Sequence, residues 1–261
     1  MSDHIVVTRD GHVSTVTLNR PDKHNTLNAA MLAELEAIAS GFTDDEDTRA
    51  VVFQAAGENF SYGADLEEVA TGERPSLLML RRDAELGGRM MRSLQNIPQP
   101  TVCAIQGVST GGATCIASAC DFRIASHDAQ MGYGEVKLGI NLMWNALPFC
   151  VHLVGPARAK QMIMSGRLIG ATTLANWGFV DELCEQQVLH QRARALIDEY
   201  VGLPPIAVQM IKRSINRVAG ALDDAIMHAD ADQWLLGTMT EDFKEAIAAF
   251  HEKREPDFKG N

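Results

Sequence analysis

The sequence lacks an excess of positive charge, and this absence excludes a large class of functions. It holds 23 lysines and arginines against 34 aspartates and glutamates, which gives a formal net charge of −11. Proteins that bind nucleic acid need a basic face to meet the phosphates. Residues 44–47, where the first predicted helix ends, read Asp-Asp-Glu-Asp and add to the acidic balance. We therefore expect no nucleic-acid partner.

Cysteine and histidine are present, but without the spacings that build disulfide frameworks or zinc sites. The five cysteines contain no CxxC pair, and the eight histidines form no HExxH sequence. Cys103, Cys115, Cys120 and Cys150 lie in apolar segments, where a free thiol packs as a small hydrophobic group. An odd number of cysteines in such surroundings suits a reducing compartment. We expect neither a metal site nor a disulfide.

Long apolar runs are lacking too. No segment approaches the roughly 20 apolar residues that a membrane-spanning helix needs. Residues 1–4 are polar and acidic, without the pattern of a signal peptide. We therefore expect a cytoplasmic protein with no membrane association. The 261 residues are 46% hydrophobic, which is enough for one sizeable core.

The first part of the chain predicts a β-hairpin and a capped helix. Asp10-Gly11 stands between two apolar alternations, which is a strong hairpin signal over residues 5–18. Thr26 or Asn28 is placed to cap a helix over residues 29–42.

Further along, strands and helices alternate and then give way to helices. A helix is predicted over residues 76–94, broken or bent near Gly87-Gly88, and residues 72–75 suggest a mobile connection before it. From residue 155 onward the segments read as helices. The chain therefore predicts an α/β core with a helical C-terminal region.

A glycine-rich turn is the most informative stretch. A strand predicted over Thr101–Ile105 leads through Gly107, Gly111 and Gly112 into a helix of small and apolar residues, 113–119. Glycine has no Cβ, so backbone N–H groups can approach a ligand closely. A helix N-terminus favours an anion or a developing oxyanion. The spacing is neither GxGxxG nor a P-loop, and taken alone it favours a tight structural connection.

A second glycine turn changes this interpretation. Residues 60–66 follow another predicted strand, 51–54, and contain Gly63. Two strand–turn–helix units can direct two backbone N–H groups at one carbonyl oxygen, which is the geometry of an oxyanion hole. The pair of turns therefore predicts a site that stabilises negative charge on a carbonyl oxygen.

With these segments the chain resembles the crotonase (enoyl-CoA hydratase/isomerase) superfamily. The resemblance extends over about residues 5–258, and its motifs occur in family order. They are Asn19-Arg20-Pro21 with Asn25 and Asn28, then 60–66, 107–121, 135–139 and 175–181. The resemblance implies an α/β fold: a crotonase-type ββα spiral core with the acyl-CoA site over 1–200, and a C-terminal α-helical trimerisation region over 201–261. It also implies a homotrimer or a dimer of trimers.

The resemblance assigns catalytic roles to three residues. Ala64 and Gly112 would each donate a backbone N–H to the thioester oxygen, stabilising the enolate that forms when an α-proton is lost. Glu135 falls on the second catalytic glutamate of hydratases, and its apolar neighbours in sequence would raise its proton affinity. Its position alone favours another interpretation, a surface glutamate at a strand end with Lys137 as a partner.

Cys115 departs from the family pattern. Hydratases of the family usually carry their other catalytic glutamate at this position. Hydration is commonly explained with two carboxylates, whereas a single carboxylate is enough to move a proton from one carbon to another. A buried filler is favoured over a nucleophile, because no histidine lies nearby in sequence to activate the thiol. Glu68 is a weak candidate for a second acid, and residues 139–145 hold no acid of the dienoyl-isomerase or dehalogenase kind. The cysteine at position 115 therefore favours an isomerase over a hydratase.

The resemblance also places residues around the acyl-CoA. Lys23 and Lys253 match positions at which family members meet the nucleotide, although an isolated lysine is ordinarily solvated surface. Tyr133 and Trp144 either line the acyl pocket or belong to the core. The predicted substrate-binding set is Lys23, Asn25, Ala64, Asp65, Leu66, Gly112, Tyr133, Trp144, Phe250 and Lys253. We expect no cofactor beyond the coenzyme A that the substrate carries.

These observations predict an acyl-CoA enzyme that stabilises a thioester enolate, an enoyl-CoA isomerase in which Glu135 shifts a double bond. The alternatives are an enoyl-CoA hydratase-like lyase, a decarboxylase or hydrolase of another acyl-CoA, and an acyl-CoA-binding protein without catalysis. The cysteine at position 115 motivates the last alternative, and the presence of Glu135 argues against it.

Overall fold

A six-stranded sheet forms the centre of the molecule. The computed structural model describes residues 4–66 and 76–261. The strands, in spatial order, are β1 (Ile5–Asp10), β2 (Val13–Leu18), β3 (Ala50–Ala55), β4 (Thr101–Ile105), β6 (Phe122–Ser126) and β9 (Glu182–Cys184). β1 and β2 form the predicted antiparallel hairpin, whose turn places Gly11 at φ 59°. The other neighbours pair in parallel.

A three-stranded sheet carries the candidate site. Its strands are β5 (Val108–Thr110), β7 (Gln130–Gly132) and β8 (Ile169–Gly170), with β5 and β7 parallel and β7 and β8 antiparallel. A bridge between Ser61 and Ser109, and another between Leu27 and Ala64, connect the first glycine turn to this sheet and to the loop before the first helix. We did not predict these strands, because two or three residues are too few to show a period of two.

Helices pack around the two sheets. The described helices are α1 (Ala29–Gly41), α2 (Leu77–Gln95), α3 (Gly112–Ala119), α4 (Leu147–Ser165), α5 (Ala171–Trp177), α6 (Leu189–Val201), α7 (Pro205–Ala219), α8 (Asp224–Met227), α9 (Asp230–Thr238) and α10 (Glu241–Glu252). Of the two predicted caps of α1, Asn28 acts: its side chain accepts a hydrogen bond from the Met31 N–H at 2.9 Å. In the described part of the chain, no helix has both the length and the apolarity needed to cross a bilayer.

The two faces of the six-stranded sheet bury different sets of side chains. Val52 and Ala104 belong to a core cluster with residues of α6. Phe53 and Cys103, their neighbours in sequence, belong to the larger cluster that includes residues of α1, α2 and α3. Successive strand residues point to opposite faces. Strands buried on both faces are apolar throughout, and the run Thr101–Ile105 predicted such a strand.

Several predicted helix boundaries are wrong. Where we predicted a break or a bend at Gly87-Gly88, helix α2 is continuous. Helix α4 begins before residue 155, the predicted start of the helical part, although Gly155 leaves the helical conformation at φ 76° and ψ 163°. In the part predicted to be helical, we also expected one helix over residues 221–236, and the structure has two there, α8 and α9. The predicted connection over residues 72–75 lies outside the described residues.

The C-terminal helices close over the candidate site. Helix α9 packs against α2, and α10 packs on a 3-10 helix formed by Glu135–Leu138. The contact is tight, because a Cβ added to Gly139 would lie 3.3 Å from the Phe243 nitrogen. A Cβ added to Gly237 would lie 3.1 Å from the Gly139 carbonyl oxygen. The boundary between core and C-terminal region at residues 200 and 201 stays a prediction.

Candidate active site

The first glycine turn presents the N–H of Ala64. The Leu27 N–H donates to the Gly63 carbonyl at 2.7 Å, and the Asp65 N–H donates to the Leu27 carbonyl at 3.0 Å. Because this parallel pairing uses the residues on either side of Ala64, the Ala64 N–H points away from Leu27. Ala64 is exposed, and its N–H donates to no other described backbone or side-chain group. It is available to a ligand.

The side chains around this turn fix its backbone. The Asn25 Nδ2 donates to the Ala56 carbonyl at 2.8 Å and to the Asn59 carbonyl at 3.0 Å, while its Oδ1 accepts from the Arg20 N–H at 2.8 Å. The Asp65 carboxylate accepts from Arg20 Nη1 at 2.7 Å. Asn25 and Asp65 were both predicted to bind substrate. Their side chains hold the loop in place, so we expect any contact with substrate to come through the backbone.

The two glycine turns meet at Gly63. This residue has φ 81°, and an added Cβ would lie 2.5 Å from the Thr110 carbonyl oxygen and 3.2 Å from the Gly112 nitrogen. Positive φ and this close approach both require glycine. The meeting brings Ala64, the next residue in the chain, beside the second turn.

The second glycine turn presents the N–H of Gly112. Gly111, at φ 55°, donates its N–H to the Gly132 carbonyl at 3.0 Å and accepts from the Cys115 N–H at 3.0 Å. Gly112 is the first residue of α3, and its N–H has no described partner, as expected for the start of a helix. The predicted donors Ala64 and Gly112 therefore lie on adjoining turns, and both N–H groups are available.

The Glu135 carboxyl lies against the second turn. A Cβ added to Gly111 would be 3.2 Å from Glu135 Oε1, and the buried Oε2 has no described hydrogen-bond partner. Burial raises the pKa of Glu135 to about 7, with a smaller contribution from the charge of Asp230. Glu135 begins a 3-10 helix, and its buried Oε2 has neither Lys137 nor any other described group as a partner. The interpretation as a surface glutamate at a strand end is therefore wrong.

Asp230 is a second carboxyl near the site that the sequence analysis missed. It begins α9, and its Oδ2 accepts from the Asn145 N–H at 2.8 Å. Burial raises the pKa of Asp230 to about 6, although that hydrogen bond opposes the shift. Its charge also raises the pKa of both Glu135 and Cys115. No local sequence signal could have revealed it, since its position depends on the packing of α9 on α2.

Cys115 lies in the first turn of α3 and is completely buried. Burial raises the pKa of its thiol well above the usual value, and the charges of Glu135 and Asp230 raise it further. A thiol in this state stays protonated near neutral pH and is a poor nucleophile. The site therefore holds no second carboxylate at this position, in agreement with the interpretation of Cys115 as a filler.

The two aromatic residues predicted near the acyl group lie at different depths. Tyr133 is fully buried and belongs to the core. Trp144 is also buried, but its indole contacts Gly112 and therefore borders the second turn. Of the two, Trp144 is the one placed to meet an acyl group.

The remaining predicted binding residues lie towards the surface. Lys23 is exposed at the end of a short 3-10 helix, Leu66 is half-buried, and Phe250 is exposed near the end of α10. Lys253 follows α10 at φ 54° and is exposed as well. Their contacts with coenzyme A, including a contact from a neighbouring subunit, stay predictions. The candidate acid Glu68 lies outside the described residues.

A metal centre is not apparent in the described ranges. Within 4–66 and 76–261, no three histidine, cysteine, aspartate or glutamate side chains converge as metal ligands would. The groups that the described site offers are its backbone N–H groups and the carboxyls of Glu135 and Asp230.

Comparison with known proteins places this geometry in a family. The model of the enoyl-CoA hydratase/isomerase family matches residues 8–261. The short-chain-enoyl-CoA hydratase of Clostridium acetobutylicum is 32% identical over 253 residues, covering 97% of this chain and 96% of that protein. A carnitinyl-CoA dehydratase of Escherichia coli is 31% identical over 269 residues, covering 100% of both chains. The crystal structure of an enoyl-CoA hydratase from Mycobacterium avium subsp. paratuberculosis K-10 superposes with a TM-score of 0.88 at 25% identity, covering 98% of each chain.

The fold is that of the crotonase superfamily, and in it two glycine turns adjoin a glutamate whose Oε2 is buried. Within that superfamily, the chain belongs to the enoyl-CoA hydratase/isomerase family. The predicted superfamily and fold class are confirmed. The names of the relatives favour a hydratase, whereas the sequence analysis favoured an isomerase.

Proposed function

We propose that the protein moves protons on the enolate of an acyl-CoA thioester. The thioester oxygen would accept from the N–H groups of Ala64 and Gly112, and Glu135 would carry the proton. One such oxyanion donor typically contributes about 10²–10³ to the rate. The proposal rests above all on the buried Glu135 carboxyl, whose Oε2 has no described partner and which lies against the glycine turn at Gly111.

The favoured reaction is isomerisation of an enoyl-CoA. In a 3-enoyl-CoA, Glu135 would take a proton from C2. The electron pair left at C2 would be delocalised onto the thioester oxygen and, through the C3–C4 double bond, onto C4, which gives a dienolate. Return of the proton to C4 gives the 2-enoyl-CoA and restores the Glu135 carboxylate. A pKa of about 7 keeps both forms of the carboxyl populated near neutral pH. This cycle needs no cofactor beyond the coenzyme A of the substrate.

Cys115 supports isomerisation over hydration. Its buried, protonated thiol stands where hydratases of the family usually carry a carboxylate, so water would have no base at this position. A proton shift between C2 and C4 needs only Glu135.

Enoyl-CoA hydration is the second candidate. It is favoured by the names of the relatives, a short-chain-enoyl-CoA hydratase and a carnitinyl-CoA dehydratase. Asp230 also supplies a second partly buried carboxyl that interacts electrostatically with Glu135. In this case one of the two carboxyls, Glu135 or Asp230, would activate water, and the other would protonate C2.

We also propose that copies of the chain associate as a homotrimer or a dimer of trimers, in a reducing, cytoplasmic compartment. Helix α7 buries none of its residues in the described chain. Its apolar side chains and those just beyond it are exposed: Ile206, Met210, Ile211, Ile215, Val218 and Leu222. An exposed apolar face of this extent is typical of a subunit interface. The five buried free cysteines support the compartment.

The decisive experiment follows two substrates in D₂O by NMR. We expect conversion of a 3-enoyl-CoA to the 2-enoyl isomer, with deuterium entering at C2 or C4, and no 3-hydroxyacyl-CoA. Accumulation of 3-hydroxyacyl-CoA from the 2-enoyl-CoA would establish the hydratase instead. Release of CO₂ from a carboxyacyl-CoA, or of free coenzyme A, would assign the enzyme to the decarboxylases or hydrolases.

The Glu135→Gln variant is the matched control, because it keeps the shape of the side chain and removes its basicity. We expect it to bind acyl-CoA as the wild type does and to lose turnover by about 10²–10⁴. A wild type that binds acyl-CoA and turns over none of these substrates would be a binding protein, and the enzyme proposal would fall.

A further inference from the structure

The Trp144 indole packs between two glycines, and we call the space between them its seat. A Cβ added to Gly87 in α2 would lie 2.1 Å from indole Cδ1, and a Cβ added to Gly112 would lie 2.1 Å from Cζ3. Carbon atoms that are not bonded do not approach so closely, so only glycine fits on either side of the ring. The five-membered ring therefore faces α2 and the six-membered ring faces the start of α3.

The backbone under this indole is held in an unusual conformation. Trp144 has φ 64° and Asn145 has φ 60°. Two successive non-glycine residues in the left-handed region persist only where surrounding contacts hold them. Asp230 accepts from the Asn145 N–H at 2.8 Å. The surrounding groups assign the orientation of the Asn145 amide: with its nitrogen towards Met227 it donates to the Met227 carbonyl at 2.9 Å, and its oxygen accepts from Arg92 Nη1 at 2.7 Å. These polar contacts fix the indole in its seat.

The Trp144 indole adjoins the place that the proposed reaction gives to the thioester oxygen. In the proposed reaction C2 and C4 come within reach of Glu135, whose carboxyl adjoins Gly111, while the thioester oxygen adjoins Gly112. The six-membered ring of Trp144 contacts Gly112 itself. Because the indole is buried and fills the space from Gly112 to Gly87, an acyl chain that continued from C4 towards α2 would meet the ring.

We propose that Trp144 limits the length of the acyl group, so that the site accepts chains ending near C4, such as butyryl or crotonyl, and excludes long ones. This inference rests on the proposed acyl-CoA function. It gives Asn145, Asp230 and Arg92 the task of positioning the residue that selects the substrate, and it explains why α2 carries a glycine at position 87 inside a continuous helix.

The test compares the binding of butyryl-CoA and decanoyl-CoA by calorimetry, without any need for turnover. We expect the wild type to bind butyryl-CoA at least tenfold more tightly. In Trp144→Ala, we expect decanoyl-CoA to gain at least tenfold in affinity, since each newly buried methylene contributes about fourfold. Butyryl-CoA should change by less than about threefold, because its chain ends before the added space.

Three further variants keep the test sharp. Trp177→Ala removes a tryptophan in α5 that packs beside Arg158, away from Gly112, and should leave the ratio of the two affinities unchanged. Gly87→Ala adds a methyl group that displaces the indole, so we expect it to weaken butyryl-CoA binding, an effect that enlarging the site would not produce. Trp144→Leu replaces Trp144→Ala if thermal unfolding shows that the alanine variant is not folded.

The outcomes separate this inference from the proposed function. A wild type that binds decanoyl-CoA as tightly as butyryl-CoA, or a folded Trp144 variant with an unchanged ratio, would overturn the length limit even if the enzyme isomerises its substrate. Selective binding that Trp144→Ala abolishes supports the limit even if no acyl-CoA is turned over, in which case only the proposed reaction falls.

Discussion

Each glycine turn of the site has a buried carboxyl beside it, and the two carboxyls are held in opposite ways. Asp65, after the first turn, accepts from Arg20 Nη1 at 2.7 Å and from Thr26 Oγ1 at 3.3 Å. Glu135, beside the second turn, has an Oε2 without a described partner. A paired carboxylate fixes a loop, whereas an unpaired one retains a high proton affinity. The contrast separates a residue that shapes the site from one placed to react in it.

Among variants that leave both carboxyls in place, the largest effect is expected from breaking the first turn. In Gly63→Ala the new Cβ would lie 2.5 Å from the Thr110 carbonyl oxygen, so the two turns must separate. We expect turnover to fall by about 10²–10³, the usual loss for one oxyanion donor. The measurement is the steady-state rate with the substrate identified by NMR.

Gly11→Ala is the matched control for this substitution. Gly11 has a similar positive φ of 59°, but nothing lies within 4 Å of an added Cβ. Gly11→Ala therefore introduces the same backbone strain as Gly63→Ala, but without a steric clash between the new Cβ and a neighbouring group. Equal losses of activity in the two variants would show that the contact between the turns is unimportant.

The second prediction tests whether the Glu135 carboxyl, whose buried Oε2 has no described partner, costs stability. Below pH 4.5, the usual pKa, Glu135 is protonated in both the folded and the unfolded chain. Between pH 4.5 and 7 only the unfolded chain releases the proton, so the folded wild type loses stability as the pH rises. At pH 8 we expect the free energy of unfolding of Glu135→Gln to be about 3 kcal/mol higher than that of the wild type, so that the variant is the more stable protein. Urea unfolding at pH 4.5 and pH 8 measures the difference.

Asp65→Asn should have the opposite sign in the same experiment. It removes the charged partner of Arg20, and loss of a hydrogen bond between charged groups costs about 1–3 kcal/mol. If both variants were destabilised at pH 8, the contrast between a structural and a reactive carboxyl would not hold.

The smallest effect concerns Asp230, whose charge is a minor cause of the raised pKa of Glu135. Asp230→Asn removes this charge, so the pKa of Glu135 should fall and the acidic limb of the pH–rate profile should move to lower pH. The shift should appear mainly above pH 6, because the pKa of Asp230 itself is about 6. If the acidic limb moved to higher pH in Asp230→Asn, the charge of Asp230 could not be what raises the pKa of Glu135.

Much of the fold could be predicted because its signals are local. The turn at Asp10-Gly11, the cap at Asn28 and the apolar run Thr101–Ile105 each depend on a few neighbouring residues, and each was confirmed. The two glycine turns were also located correctly, since glycine is required wherever backbones approach closely. The pair of strand–turn–helix units allowed the two turns to meet and the family resemblance implied it, and the contact itself is visible only in three dimensions.

The residues that the sequence analysis missed or misread depend on distant contacts. Asp230 reaches the site because α9 packs on α2. Gly87-Gly88 suggested a weak point in a helix, but Gly87 accommodates the ring of Trp144, far along the chain. Local propensity assigns glycine a cost in a helix, and only the tertiary contact explains why it is there.

The packing of α9 and α10 has a consequence for how the protein is made. Both glycine turns and Glu135 leave the ribosome well before residues 230–252, which pack on α2 and on the 3-10 helix that begins with Glu135. The nascent chain therefore holds the reactive groups before it holds their surroundings. The surroundings of the Glu135 carboxyl, and with them the proton affinity suited to neutral pH, are complete only after α9 and α10 have been synthesised.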